Sequence, residues 1–419
     1  MTAAFAILSV ALWGSLALLA HTYAVYPLAM RLLGRGRALP PERFESDDEL
    51  PEVAVLMAVY NEEKVLASTL ASILASDYPA EKLSIFIGSD GSTDRSDEIV
   101  EGFAKTHPRL RLANFGGRNG KIRVVNRLAG DAVSGFQDSD KALFVLCDAN
   151  IDWSPSMLRR LASHFKRPEV GLVGAAVLDR AREHAGIGDQ EEAYVGQENA
   201  VKHAEGVLWG RVMGVFGACY AMRARLFVPV PPLHLVDDFY QTLACFEQGA
   251  DAIVDLDAVC HEAVSTDIRE EFRRKRRIAA GNFQNLRRFR SFLQPWNSDL
   301  ATTFAFWSHK GLRWFGPHLL IAGFLSCLVL SAIHPVHLLP LGGFLAVFAM
   351  ALADRLLPGK GGRLAKVFRF ARYFLSMNLA LLLGFLDFLR GPRTSVWEPT
   401  RREAPASDAA RKPEPALRR

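Results

Sequence analysis

The sequence predicts an α/β domain, built on a mostly parallel sheet flanked by helices and carried between membrane helices at both ends of the chain. Three observations predict it. From Val53 onward, apolar runs of strand length alternate with stretches of helical spacing. Long runs almost free of charge occupy the N-terminus and the last third. Polar clusters fall where the strand-like runs end, which is where open α/β sheets bind their ligands.

The first element is Ala3 to Leu33, which carries no charge before Arg31. It exceeds the ~20 apolar residues that a spanning helix needs. No basic segment precedes it and no small-residue cleavage site ends it, so it reads as an anchor rather than a cleaved signal. Arg31, Arg35 and Arg37 follow, and the positive-inside rule then places the next domain in the cytoplasm. Residues 1–37 are thus the expected anchor, and the polar, acidic stretch 38–52 a linker. In 53–295, "VAVLMAVY", "LSIFIGSD" and "KALFVLCD" are buried strands, while "EEKVLASTLASILAS" and "STDRSDEIVEGFAKTH" are helices. Residues 296–390 return to the membrane. Gly311 to Ile333 and Pro335 to Leu352 are candidate spans joined by "HPVH". Tyr373 to Leu389 is shorter and carries Asn378 and Asp387, and the Arg-rich tail behind it suits the inside. A re-entrant or interfacial helix reconciles the two. The tail, 391–419, is rich in Pro, Ala, Arg and Glu and reads as disordered or cytoplasmic.

Composition narrows the function. Half of the 419 residues are hydrophobic and the net charge is +5. Basic residues sit beside apolar runs or in one cluster, Arg273 to Arg277, with no basic stripe interleaved with stacking aromatics. That pattern excludes a nucleic-acid partner and points to a membrane and a phosphate-bearing ligand. The five cysteines are scattered and form no C-x-x-C pair, as small buried hydrophobes in a reducing compartment do.

The clusters carry the chemistry. "AVYNEE" places Tyr60 and Glu62 past the first strand, and "GSDGSTD" places Asp90 past the second. Each is also an ordinary strand-to-helix turn. Together they can line a nucleoside pocket. "FGGRNGKIRVVNRLAG" sets glycines and Lys121 before a helix, a pattern suited to phosphate and equally to a solvated turn. Asp148 ends the third strand, where a carboxylate is costly unless paired or bound to a metal; Asn150 can add a neutral oxygen. The alternative is an Asp that caps a turn. Asp237 and Asp238 open an amphipathic helix, as dipole partners or as a general base. "REEFRRKRRIAAGNFQNLRR" is a solvated basic face or a site for a departing diphosphate.

Taken in order, "VYNEE", "SDGSTD", "GK", "DAN", "DDF" and "RRKRRIAAGN" resemble a membrane-anchored family 2 glycosyltransferase over roughly Val53 to Asn285. The resemblance implies a GT-A fold, a nucleotide-sugar donor and inversion at the anomeric carbon. It makes Tyr60, Glu62 and Asp90 nucleoside contacts, most often for uridine, and Lys121 a contact near base and phosphate. Asp148 matches the first Asp of the Asp-x-Asp motif, which holds a divalent metal (Mg²⁺ or Mn²⁺) on the diphosphate, and Asn150 stands at the second. Asp238 matches the catalytic base, with Asp237 before it. Arg277 matches the Arg of the "QxxRW" segment. Arg274 replaces its Gln and Ile278 its Trp, which argues against processive synthesis. "VFGACYAMRARLF" resembles the acceptor-side segment before the base. The expected partners are a UDP-sugar donor, a lipid or glycan acceptor and the cytoplasmic face of the inner membrane. The competing readings are a processive polysaccharide synthase, an inactive nucleotide-sugar-binding membrane protein and a small transporter.

Overall fold

The computed structural model describes residues 2–179, 188–262, 267–356, 362–392, 394 and 396. The chain opens on helices α1 (Thr2–Ala20) and α2 (Tyr26–Gly34). There follow β1 (Val53–Val59), α3 (Leu66–Leu74), β2 (Leu83–Ser89), α4 (Ser96–Ala104), β3 (Leu110–Asn114), α5 (Lys121–Val133) and β4 (Leu143–Cys147). Next are β5 (Asp152–Trp153), α6 (Met157–Ser163), β6 (Val170–Asp179), α7 (Gly188–Trp209), β7 (Cys219–Arg223), α8 (Asp238–Glu247) and β8 (Asp251–Glu262). Six further helices follow among the described residues: α9 (Ile268–Arg288), α10 (Leu300–Ala305), α11 (Leu312–Trp314), α12 (Gly316–Ser331), α13 (Leu338–Leu356) and α14 (Arg363–Arg390). The tail expected at 391–419 lies, but for four residues, outside the described ones. Two compact units divide the chain. One comprises Met1–Arg31, Ala181–Gln197 and Val264–Arg393; the other comprises Leu32–Arg180, Glu198–Ala263 and Thr394–Arg419.

The second unit holds an eight-stranded sheet in the order β3-β2-β1-β4-β7-β6-β8-β5. The sheet is mixed: β3, β2, β1 and β4 run parallel, as do β6 and β8, while β7 is antiparallel to both its neighbours and β5 is antiparallel to β8. β1 is buried at all seven residues. A parallel strand covered on both faces reads as an unbroken apolar run, and this is why the sequence showed it so plainly. Burying each such Val or Leu side chain contributes ~1.5–3 kcal/mol. α5 lays Ile122, Val125, Leu128 and Ala132 onto the core. Because β1, β2 and β4 are parallel and adjacent, the residues that follow them emerge at one edge of the sheet.

β8 also holds a buried charge. Asp255 accepts from His164 Nε2 at 2.9 Å and from Arg160 at 2.9 and 3.1 Å. Burial pushes its carboxyl upward, but the bonds from His164 and Arg160 overcome that and hold it near a pKa of about 2. All five cysteines are buried and free.

The first unit is helical. Among the described residues three helical segments, Ala3–Gly34, Pro335–Leu356 and Leu364–Arg390, are long and apolar enough to cross a membrane. Leu300–Trp314 and Gly316–Ser331 form a further pair bent by 64°, with Pro317 in the first turn of α12. Ile7, Val10 and Trp13 on α1 and Leu339 on α13 are exposed, as lipid-facing side chains are. α1 packs against α12 through Leu12, Cys327 and Leu330, with Leu8, Leu16, Leu341 and Phe344 around them.

The 373–389 run, whose topology the sequence leaves open, is part of the longer α14, 28 residues, whose first turns absorb the basic "RLAKVFRFAR". The polar residues that made the run look doubtful are accounted for. Asp387 pairs with Arg276 of α9 at 2.5 and 2.8 Å, and Asn378 Nδ2 donates to Phe374 O. Gly384 makes the close approach possible, since a Cβ there would lie 2.5 Å from both Ala279 Cβ and the Arg276 carbonyl. Gly384→Ala should therefore force α14 off α9 and destabilise the helical unit by about 1–3 kcal/mol, the usual cost of overpacking. A lowered melting temperature in detergent is the readout, and an unchanged one would refute this contact.

Candidate active site

The site is built at the carboxyl edge of β1, β2 and β4. The first two turns are laced together. Asn61 takes the left-handed conformation, φ 54°, which an amide side chain tolerates by bonding locally. Its Oδ1 accepts from Thr93 N at 2.8 Å, and the Glu62 amide donates to Ser96 Oγ at 2.9 Å. Asp90 is fully buried. Its amide donates to Val59 O, while its two oxygens accept from Asn119 N at 2.5 Å and Gly120 N at 3.0 Å. Its carboxylate thus shapes the glycine-rich loop. Gly91 (φ 75°) lies against Gly117, where a Cβ would sit 3.0 Å from the backbone. Arg118 of the same loop stacks over the Tyr60 ring at 3.3 Å and lies 3.5 Å from Asp90. A planar guanidinium on an aromatic face is the kind of wall a nucleobase can join.

Gly120 (φ 88°) caps α5 and Lys121 opens it. Lys121 Nζ bonds Asp148 Oδ1 at 2.7 Å and lies 3.5 Å from Asp237 Oδ2. Burial alone would depress its proton affinity, but Asp148 and Asp237 reverse that and hold the ammonium well above its usual range. Asp148 is fixed through its amide, which donates to Ala218 O at 3.0 Å, joining the end of β4 to β7. Its side chain is 37% exposed, so the carboxylate remains open to a ligand. Asn150 is buried and donates to Glu262 Oε1 at 3.4 Å.

Asp237 and Asp238 begin α8. Asp238 accepts from Phe239 N at 2.6 Å. Burial, then the neighbouring Asp237, raises the pKa of Asp238; the Phe239 amide, Lys121 and Lys202 oppose the rise. Gly217 touches it closely: a Cβ there would lie 2.9 Å from Asp238 Oδ2. The structure thus gathers Lys121, Asp148, Asp237 and Asp238, and separately Tyr60 and Asp90 through Arg118. Arg274 and Arg277 stand on α9, in the helical unit. There Arg274 reaches Glu271 at 3.4 Å, and Arg277 is exposed.

A model described as glycosyl transferase family 2 matches residues 54–227. A second, described as glycosyl transferase family group 2, matches residues 144–357, just over half of the chain. The chain belongs to family 2 of the glycosyltransferases. This family 2 chain is 28% identical over 227 residues to the beta-monoglucosyldiacylglycerol synthase of Synechocystis sp., across 51% of this chain and 45% of that one. It is 34% identical over 74 residues to the poly-beta-1,6-N-acetyl-D-glucosamine synthase of Staphylococcus epidermidis, across 18% and 17%. The matches thus span less than half the length of these curated relatives. A mannosyltransferase from Pyrobaculum calidifontis, solved in complex with GDP-Man and Mn2+, shares the fold. Its TM-score is 0.65 over 92% of this chain and 98% of that one, at 22% identity. The expected GT-A-type α/β fold with flanking apolar helices is therefore borne out.

Sequence reasoning missed Arg118, Gly217 and Lys202. Arg118 lies inside "FGGRNGK", where an Arg beside a glycine-rich loop was a usable signal. Gly217 lies in "VFGACYAMRARLF", whose glycine was available as a sign of close approach. Lys202 carried no signal, because polar and apolar residues are mixed around α7 with no clear face in the sequence.

Proposed function

We propose that the protein is an inverting glycosyltransferase that moves a sugar from a nucleotide sugar, UDP-linked on the family resemblance, to a hydroxyl of a lipid or glycan acceptor at the cytoplasmic membrane face. The observation that carries this reading is the cluster of Lys121, Asp148, Asp237 and Asp238 at one edge of the sheet. The split is chemical. Asp148 and Lys121 form a charged pair able to exchange partners with a diphosphate. Asp238, with its raised proton affinity, is suited to take a proton.

The roles follow from the residues. Tyr60 and Arg118 present a flat stack for the base, and Asp90 fixes the glycine-rich loop beside it through the Asn119 and Gly120 amides. Lys121 meets the negative charge of the diphosphate as the bond to the sugar breaks. Asp238 removes the proton of the acceptor hydroxyl as its oxygen attacks the anomeric carbon, and the diphosphate leaves from the opposite face. The resemblance assigns further charge neutralisation to Arg277.

Among the described residues no three His, Cys, Asp or Glu side chains gather as a metal cage. One open carboxylate with an amide nearby fits a Mg²⁺ or Mn²⁺ that arrives on a diphosphate, because the phosphates bring their own oxygen ligands. Asp148 and Asn150 would hold it. Bound there, the ion would act as a Lewis acid on the departing diphosphate.

The glycolipid reading draws support from the apolar helices and from the glucosyldiacylglycerol synthase relative. The test is nucleotide release by the purified, detergent-solubilised protein. It is offered UDP- and GDP-sugars with Mn²⁺ or Mg²⁺, with and without a membrane lipid extract. The expected result is release from one donor, dependent on acceptor and lost with EDTA, with a single sugar added per acceptor. Long polymer would favour a processive synthase. Binding of a nucleotide sugar with no release under any acceptor would overturn the enzymatic reading.

A further inference from the structure

The sheet carries a second cavity, at its opposite edge. About 300 Å³ of space opens at the amino ends of β1, β2 and β3, within the range of small-molecule sites. The seven residues of β1 put it about 20 Å from the carboxyl edge of the sheet. Ser84 and Phe86 of β2 alternate with Ile85, so their side chains share one face, and both line the cavity. Arg109 and Arg111 stand beside them. Phe86 is in register with Arg111 on β3, and Arg109 O accepts from Ile85 N. The Arg111 guanidinium lies 5.5 Å from the centre of the Phe86 ring. Phe136, in the turn after α5, adds a second ring to the lining.

The charges of this lining do not cancel. Lys82 Nζ donates to the carbonyls of Asp48 and Leu50, neutral partners that leave its charge uncompensated. Arg109 and Arg111 have no carboxylate partner among the described residues. Elsewhere in the same unit Arg127, Arg159, Arg160 and Arg211 each reach one. The carboxylate of the lining is Glu52, whose Oε2 accepts from Gln137 N at 2.7 Å. Three cations and one carboxylate thus surround a space walled by two phenyl rings.

We propose that this cavity binds a nucleoside diphosphate, its phosphates on Arg109 and Arg111 and its base against Phe86 and Phe136. Guanidinium groups match phosphate oxygens in bidentate pairs, and two of them on alternate residues of one strand can hold adjacent phosphates. Phenyl rings stack on any base, since every base has a π-face. Ser84 and the second oxygen of Glu52 offer hydrogen bonds to a ribose. An acidic protein surface fits less well, because a stable interface needs ~800 Å² per partner and this lining is a cavity. The reaction proposed above releases such a diphosphate, but binding here does not depend on that reading.

The test is equilibrium dialysis of the full chain in detergent with EDTA, using labelled UDP, GDP and inorganic pyrophosphate up to millimolar concentration. The native protein should bind one more equivalent of nucleotide than Arg109→Ala/Arg111→Ala, since each arginine lost weakens the site roughly tenfold or more. Both arginines are exposed, so the double variant should melt with the native protein and keep its initial rate in the absence of added nucleotide. Phe136→Ala should weaken nucleotide binding and leave pyrophosphate binding unchanged. Equal binding by the native protein and the double variant with every probe overturns the proposal. Pyrophosphate bound as tightly as nucleotide overturns its nucleoside part. Arg111→Gln alone gives the same readout should the double variant misfold. Arg118→Ala should lose a different equivalent, that of the donor site, and a variant that loses none counts against the donor site instead, so the two failures are distinguishable.

Discussion

Asp238→Asn should lower turnover by roughly two to four orders of magnitude, the usual contribution of a positioned general base, while the protein melts at or above the native temperature. The two halves of this expectation share one cause. Burial and Asp237 raise the proton affinity of Asp238 above the ordinary carboxylate range. A carboxyl whose folded pKa is raised costs stability once it ionises, and that cost is relieved as the pH falls through the folded value. The neutral amide escapes the cost but cannot accept a proton. Catalysis has the opposite dependence, since it needs the ionised form. The acid limb of kcat/KM should therefore lie above the pH at which ordinary carboxylates titrate, and activity should vanish on acidification before the fold does. Turnover kinetics and thermal melting on the same preparation check both parts. A strongly destabilised but active Asp238→Asn would contradict both.

Asp255→Ala should do the reverse and damage the fold. It would leave His164 buried and Arg160 short of its main partner. Breaking a buried ion pair from one side costs about 3–5 kcal/mol, most of the ~5–15 kcal/mol by which a domain is stable. The pH dependence has a definite sign. Asp255 is held near a pKa of about 2, against an ordinary value of 3.8. Its contribution is therefore complete above the ordinary value and is lost as the pH falls from about 4 toward about 2. Denaturant titration at neutral pH should show the destabilised variant. Repeated at low pH, the gap between variant and native protein should close; a gap that stays constant would refute the assignment.

The parts of the fold legible in the sequence are those in which neighbours in the chain are neighbours in space. β1, β2 and β4 were visible as apolar runs because both faces of a parallel strand are covered, and the turns after them carried Tyr60, Asp90 and Asp148 in plain view. β7 was harder. It enters between β4 and β6 in the opposite direction, and no local pattern distinguishes an antiparallel strand buried on both faces from a parallel one. The candidate site divides in the same way. Asp148, Asp237 and Asp238 could be named because carboxylates at strand ends and helix starts are conspicuous. The bond from Lys121 to Asp148, the stack of Arg118 on Tyr60 and the approach of Gly217 to Asp238 depend on separations that only the folded chain sets. The full length of α14 was not legible because Asp387 and Asn378 interrupt its apolar run, and their partners, Arg276 and a backbone carbonyl, are invisible to hydropathy.

The packing of α1 on α12 bears on how the protein is made. Ala20 and Gly316 are about 300 residues apart in the chain, and synthesis at ~5–20 residues per second takes roughly 15–60 s to cover that distance. For that time the first helix, long and apolar enough to cross a membrane, is without the partner surface of Cys327 and Leu330, which is not yet translated. Its composition suits the wait. Thr2–Ala20 carries no charged residue, so no face of it needs protein cover. Asp387 of α14 does need a partner, and Arg276 has already left the ribosome by the time α14 emerges. The helix made first is thus one that tolerates being alone, and Asp387 emerges only after the residue that pairs with it.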